Sequence, residues 1–199
     1  ARGLVFQENL LTGDRRISGT AASLAGIEAA LISGDDIHLD LAIRRYVLAH
    51  CLVLGFGGLP LIYMGDELGL PNYYDFVEEP DHADDNRWVH RPPMPWHLAD
   101  RRHIEGTVEY RIWHRLRHVI TVRSSLPSLD ASVESEILDP VNPAVLVLLR
   151  RFPSQTMVGV YNMTTESQKV PRWVIPLGNW AWDALTEETP LTDGPLTLD

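Results

Sequence analysis

The chain has 199 residues, 45% of them hydrophobic and 22% charged, and a formal net charge of −10. That is ordinary globular composition with length enough to bury a sizeable core, and it excludes fibrous and disordered classes. The seventeen Lys and Arg form no block, so a nucleic-acid partner is excluded and a neutral or cationic ligand fits better.

Residues 1–19 read as a loop, with turn residues in Thr12-Gly-Asp-Arg-Arg-Ile-Ser-Gly-Thr20 leading to a Ser or Thr cap. An Ala- and Leu-rich helix is predicted from Ala21 to Ile32. Ser33-Gly-Asp-Asp36 ends it and caps a second helix, from about Ile37 to Leu54. This second helix is apolar nearly all round apart from Arg44 and Arg45, so the pattern predicts burial against a sheet. Cys51 lies within it and, as the chain's single cysteine, has no partner for an internal disulfide.

The run Ala49–Met64 is apolar, but Gly55, Gly57, Gly58 and Pro60 break it short of the roughly twenty residues a membrane helix needs. No membrane partner is expected, and a secretory signal is absent from these residues. The expectation is a soluble chain, with the cytoplasm favoured.

Leu59–Met64 stops abruptly at Gly65-Asp-Glu67, the pattern of a buried parallel strand that delivers acids to its C-terminal end. A long loop, 65–105, follows, rich in Asp, Pro and His. Its aromatics Tyr73, Tyr74, Phe76, Trp88 and Trp96 favour an ordered loop, either stacking on sugar rings or forming a satellite core. Val108, Ile112, Leu116, Val119 and Ile120 then recur at helical spacing. After Ser124-Ser-Leu-Pro-Ser128 the texture becomes short β-type runs at 132–138, 144–152, 156–161, 168–175 and 180–185.

Among candidate site residues, Asp66 and Glu67 invite reading as a catalytic pair. Retaining glycosidases hold two carboxyl groups about 5–5.5 Å apart, whereas neighbours leaving a strand point to opposite sides. Pinning of the loop through backbone and Arg hydrogen bonds is the commoner role, and Asp84 and Asp85 meet the same objection. Arg87, between those acids and Trp88, either locks a pocket wall or forms a solvated ion pair. Arg15 and Arg16 sit in a loop before a helix, where a ligand role competes with simple exposure. His114 and His118 have i, i+4 spacing but no acidic third ligand, so no metal and no cofactor is expected. Asn162-Met-Thr164 matches a glycosylation acceptor, a short pattern with meaning only in a secreted protein.

These stretches resemble the α-amylase family of glycoside hydrolases and transglucosidases, with amylosucrases as the nearest subgroup. Gly-Gly-Leu-Pro-Leu-Ile-Tyr-Met-Gly-Asp-Glu-Leu-Gly (57–69) looks like the family's eighth barrel strand and its exit. Arg-Pro-Pro-Met-Pro-Trp (91–96) looks like the loop into the last barrel helix. Nearer to amylosucrases are Gly-Asp-Arg-Arg-Ile-Ser-Gly-Thr-Ala-Ala-Ser-Leu-Ala-Gly (13–26), Asp-His-Ala-Asp-Asp-Asn-Arg-Trp-Val-His-Arg-Pro (81–92) and Leu-Arg-His-Val-Ile-Thr-Val-Arg (116–123).

The resemblance implies an α/β fold in which 1–126 form the C-terminal portion of a (β/α)8 TIM barrel, with its last strand and flanking helices. Residues 127–199 would then be a truncated β-sandwich domain. It implies transfer of glucose from sucrose to an α-1,4-glucan with release of fructose, through a covalent glucosyl-enzyme. By the same resemblance the nucleophilic Asp, the acid/base Glu and the third Asp lie on earlier strands, so no catalytic residue is placed here and the fragment alone is expected to be inactive. Arg87 looks like the arginine that closes the sucrose pocket, and Arg16 like one lining the sucrose and acceptor subsites. Asp66, Glu67, Asp84 and Asp85 are carried over as rim architecture. Alternatives are a sucrose hydrolase, α-glucosidase or trehalose synthase of the same family, or a non-catalytic carbohydrate-binding or structural module.

Overall fold

The computed structural model describes residues 2–178, 181–188 and 194–198. The chain falls into two compact units, Ala1–Val47 with Ile62–Leu116 and Leu48–Leu61 with Arg117–Asp199; two of the three boundaries lie inside long helices and the third, at Leu61/Ile62, in the irregular segment between them.

The first unit opens with an antiparallel hairpin, β1 (Leu4–Glu8) and β2 (Arg15–Ser18), where a loop was expected. The turn chemistry between them closes the hairpin. Gly13 takes a φ of 73° and its N–H bonds the Asn9 carbonyl at 2.8 Å, while the Asn9 side chain accepts from Leu11 N–H at 3.0 Å. Strands this short and exposed carry no period-two apolar signature to read.

Thr20 caps α1 (Ala21–Ala25) by accepting from Ser23 N–H at 3.2 Å. The single helix expected over 21–32 is divided at Gly26, whose φ of 103° ends α1 and starts α2 (Ile27–Ser33). Asp35 then accepts from His38 N–H at 2.9 Å to begin α3 (Asp36–Phe56). Arg44 and Arg45 are exposed as expected. Within this unit the α3 core face packs on helices, where Ala42, Ile43 and Tyr46 join Ala22, Ile27 and, from α5 (Val108–Ser125), Ile112 and Leu116; further along, in the second unit, the helix does meet a sheet, with Gly55 against strand residue Tyr161.

The strand expected at Leu59–Met64 is absent as a ladder. A parallel strand exists only through hydrogen bonds to its neighbours, and none flanks this segment among the described residues. Leu59 and Leu61 stand 90% and 81% exposed. The chain recovers order at a 3₁₀ turn, Asp66–Leu68, flanked by Gly65 and Gly69 at φ 96° and 66°. The loop beyond is ordered by further 3₁₀ turns at Asp75–Glu78, Asn86–His90 and Asp100–His103 and by the short α4 (Trp96–Ala99). A small core of Leu68, Leu70 and Ala99 with Met94 and Leu98 holds it.

Among the described residues the second unit carries two antiparallel sheets. β3 (Ser135–Leu138), β4 (Val145–Phe152) and β5 (Gln155–Asn162) form one, with Val147 opposite Leu138 on one side and Val160 on the other. β6 (Gln168–Val170) and β7 (Leu196–Leu198) form the other. Their shared apolar cluster includes Val145, Val147, Val170, Val174 and Ile175.

Three expected runs are shorter or different. Asp130 Oδ1 turns the chain by accepting from Ser132 N–H at 2.9 Å, so β3 starts at Ser135. Pro171 has no N–H to continue a ladder, and a 3₁₀ turn at Arg172–Val174 replaces the rest of that run. Of the run 180–185, Trp180 lies outside the described residues and the remainder is a turn, in which Asp183 Oδ1 accepts from Leu185 N–H at 2.8 Å.

Arg150, on β4, is fully buried and reaches four oxygens: the carbonyls of Ser128 (2.8 Å), Phe56 (2.9 Å) and Asp130 (2.8 Å) and the Ser135 hydroxyl (2.6 Å). Arg123 adds bonds to the Leu54, Gly58 and Leu129 carbonyls. The C-terminal carbonyls of α3, partly negative through the helix dipole, thus meet two guanidinium groups. At the end of β5, Asn162 is engaged on both sides of its amide. Nδ2 donates to the Glu166 and Leu198 carbonyls at 2.8 and 3.3 Å, and Oδ1 accepts from Thr164 N–H at 2.9 Å.

Candidate active-site cavity and rim

The first unit carries a half-open cavity of about 160 Å³. Three stretches line it: Gly19, Thr20 and Ala21 between β2 and α1; Tyr63, Met64, Gly65, Asp66 and Leu70 around the 3₁₀ turn; and His90 and Pro92 on the loop.

Each stretch is fixed from behind. Thr20 N–H donates to Asn72 Oδ1 at 2.8 Å, and Asn72 N–H donates to Ser23 Oγ at 2.9 Å, so one buried amide ties the loop to α1. Tyr74 hydroxyl and the buried Glu28 extend the network, with Arg2 paired to Glu28 at 3.4 Å. The turn at Asp66 is anchored by the Tyr46 hydroxyl, which donates to the Asp66 carbonyl at 2.6 Å. Burial first, and the Asp66 charge second, push the Tyr46 phenol above its ordinary range, so it remains a donor. Glu67 folds back so that Oε2 accepts from Gly65 N–H at 2.8 Å. A side chain at Gly65 would bring its Cβ within 2.7 Å of Leu70 Cδ1 in a backbone region that already disfavours one.

The residues singled out from sequence separate accordingly. Asp66 reaches the cavity lining, whereas Glu67 pins the turn. Asp84 is exposed on a turn. Asp85 and Arg87 come together as a fork: Arg87 Nε lies 2.8 and 3.0 Å from the two Asp85 oxygens and Nη2 lies 2.7 Å from Oδ2. Hydrogen bonds from the Arg87 side chain, then from its backbone N–H, lower the Asp85 carboxyl to about 2, and the same carboxylate raises the Arg87 guanidinium. The Arg87 guanidinium also lies 5.1 Å from the centre of the Phe6 ring, and Asn86 Nδ2 donates to the Val5 carbonyl at 2.8 Å. The Asn86–His90 turn therefore sits against the hairpin that carries Arg16, which is exposed and opposite Gln7.

The loop aromatics mostly serve the scaffold. Phe76 is buried, Trp88 stacks on His82 with centroids 3.4 Å apart, and Tyr73 donates to Glu79 at 2.5 Å. Trp96 is exposed. His118 bonds the Leu185 carbonyl at 2.8 Å, and among the described residues no cluster of three His, Cys, Asp or Glu stands ready for a metal ion. No helix among them is long and apolar enough to cross a membrane.

Sequence reasoning missed Thr20 as a lining residue, Asn72 as the tie behind it, and Tyr63 and His90. Thr20 reads as a cap and Asn72 as one polar loop residue among many. His90 follows Val89, which is fully buried, and that anchoring is what aims its neighbour. Burial, reinforced by Arg91, holds the His90 imidazole below its ordinary pKa, so the ring is neutral at neutral pH. A carboxylate, an imidazole and two hydroxyls around a small cavity suit a polyhydroxyl ligand. With one carboxylate among the described lining residues, the cavity lacks the pair that a double displacement requires.

In solved structures the same fold occurs as part of trehalulose synthase: a Tris complex matches with a TM-score of 0.54 at 19% identity, covering 77% of this chain and 36% of that one. A mutant of MutB in complex with its substrate sucrose matches with a TM-score of 0.53 at 18% identity and the same coverage. Among curated proteins the chain is similar to glucosylglycerate phosphorylase of Escherichia coli (strain K12), 28% identical over 129 residues, which is 63% of this chain and 22% of that enzyme. The chain thus spans less than a quarter of that relative's length. No family model matches.

Proposed function

We propose that this chain is part of an α-amylase-family glucosyltransferase that takes glucose from sucrose, passes it to an α-1,4-glucan and releases fructose by a retaining double displacement. Residues 1–126 would belong to the catalytic barrel and 127–199 to a terminal β-domain. The observation that carries this is the Asp66-lined cavity, in a fold shared with a structure solved with sucrose. In this reading Arg87 closes the sucrose pocket, Arg16 lines it from the hairpin, and Asp66, Glu67, Asp84 and Asp85 shape its mouth.

A second reading keeps the family and changes the acceptor. The likeness to glucosylglycerate phosphorylase and to trehalulose synthase favours glucosyl transfer to phosphate or isomerisation of the disaccharide. Assay of the complete gene product with sucrose separates these outcomes. Fructose release with glucan growth supports transfer to glucan, and isomeric disaccharides or phosphate-dependent release would assign the second reading. Binding of glucan without any turnover would leave a carbohydrate-binding module. The 199-residue chain alone is expected to release no fructose from sucrose, and release would overturn the assignment of the reactive carboxylates elsewhere.

A further inference from the structure

Of the polar side chains around the cavity, Thr20 and Asp66 are engaged within the protein and Tyr63 is exposed, whereas His90 is neither. Thr20 bonds Ser23, and Asp66 is coupled to Tyr46. His90 is half-buried, and among the described residues its ring makes no hydrogen bond, ion pair or ring contact, although it lines the cavity. Its backbone is held by the Asn86–His90 turn, with Tyr73 N–H bonding the Val89 carbonyl at 2.8 Å, and Val89 is fully buried. The side chain is therefore positioned yet unspent. A neutral imidazole offers one donor and one acceptor, the complement of a hydroxyl, and a partly desolvated ring gains more from that match than a wet one.

We propose that His90 is a sugar-positioning residue of this cavity, making one hydrogen bond to a hydroxyl of a neutral polyhydroxyl ligand, a role no sequence pattern assigned to it. The inference rests on the sugar-site reading above and deepens it. The nearby charges, Asp85 and Arg87 on the same turn and Arg91 beside it, are engaged with one another or with Trp88. Asp66 faces the same space from the opposite stretch. A cationic ligand would be drawn to Asp66, whereas the imidazole adds discrimination for hydroxyl geometry and none for charge.

The test is a titration of the 199-residue chain with sucrose and with glucose, followed in ¹H–¹⁵N spectra of the histidine ring nitrogens and the backbone amides. The His90 signals are assigned by their loss in His90→Gln and His90→Phe. Sugar is expected to move the His90 ring signals together with the Thr20 and Asp66 amides, and His90→Phe to weaken binding about fivefold, the loss of one neutral hydrogen bond. His90→Gln, which keeps a donor and an acceptor, should recover part of it. If sugar moves the cavity amides but leaves the ring unmoved and both variants bind like the parent chain, the role of His90 falls while the site reading stands. If no cavity signal responds to either sugar, the inference falls as well, and turnover by the complete gene product separately judges the functional reading.

Discussion

Replacing Arg150 with methionine keeps a long side chain but removes every donor from the centre of the second unit. The Ser128 carbonyl, part of a fully buried residue, loses its 2.8 Å bond, and the Asp130 carbonyl loses another. The Phe56 carbonyl keeps the Ser135 hydroxyl. An orphaned buried acceptor costs about 1–3 kcal/mol, and relief of the cation's own desolvation offsets part of the total. We expect a net destabilisation of about 2–3 kcal/mol, a fall in Tm of roughly 5–10 °C for a chain of this size. Thermal melts by circular dichroism would measure it, with Arg151→Met as the control. Arg151 is exposed, 3.9 Å from Glu136, and its loss should be nearly silent. Equal melting of the two variants would refute the view that Arg150 organises this unit.

Two further outcomes are expected. The Asp85 carboxyl is held at about 2 against an ordinary 3.8, so its contribution is complete above 3.8 and is lost as pH falls towards 2; the carboxyl ¹³C shift of the folded chain should titrate with a midpoint near 2, and Arg87→Ala should return the midpoint towards 3.8. Burial pushes the Cys51 thiol up to about 11 from 9.0, so alkylation at pH 8 should run about a hundredfold slower in the folded chain than in denaturant, and equal rates would show an accessible thiol.

Legibility followed the range of the forces involved. The limits of α3 and α5 were readable because caps and apolar periodicity act within a few residues. β4 and β5 were readable because each carries an apolar run of strand length, Val145–Leu149 and Met157–Tyr161, with turn residues on either side. The hairpin was missed because its strands are held by turn geometry and backbone bonds, with little apolar contrast between faces. Leu59–Met64 failed as a strand because that state belongs to a sheet and is not carried by one segment. At the site, Asp85 and Arg87 are two residues apart and met as their chemistry suggests. The tie from Asn72 to Thr20 and Ser23 spans about fifty positions, and no local pattern announces it.

The closed amide of Asn162 bears on how this protein can be made. Oligosaccharide transfer in a eukaryotic secretory pathway would recognise Asn162-Met-Thr164, and the nitrogen it modifies is the one that secures the Glu166 and Leu198 carbonyls. A glycan joined there during synthesis would hold the last strand away from its neighbour before the β-domain could close. Production in a bacterial cytosol sidesteps that competition, and a threonine-to-valine change at 164 would remove it elsewhere while surrendering the hydroxyl's own bonds to Asn162 and Glu166.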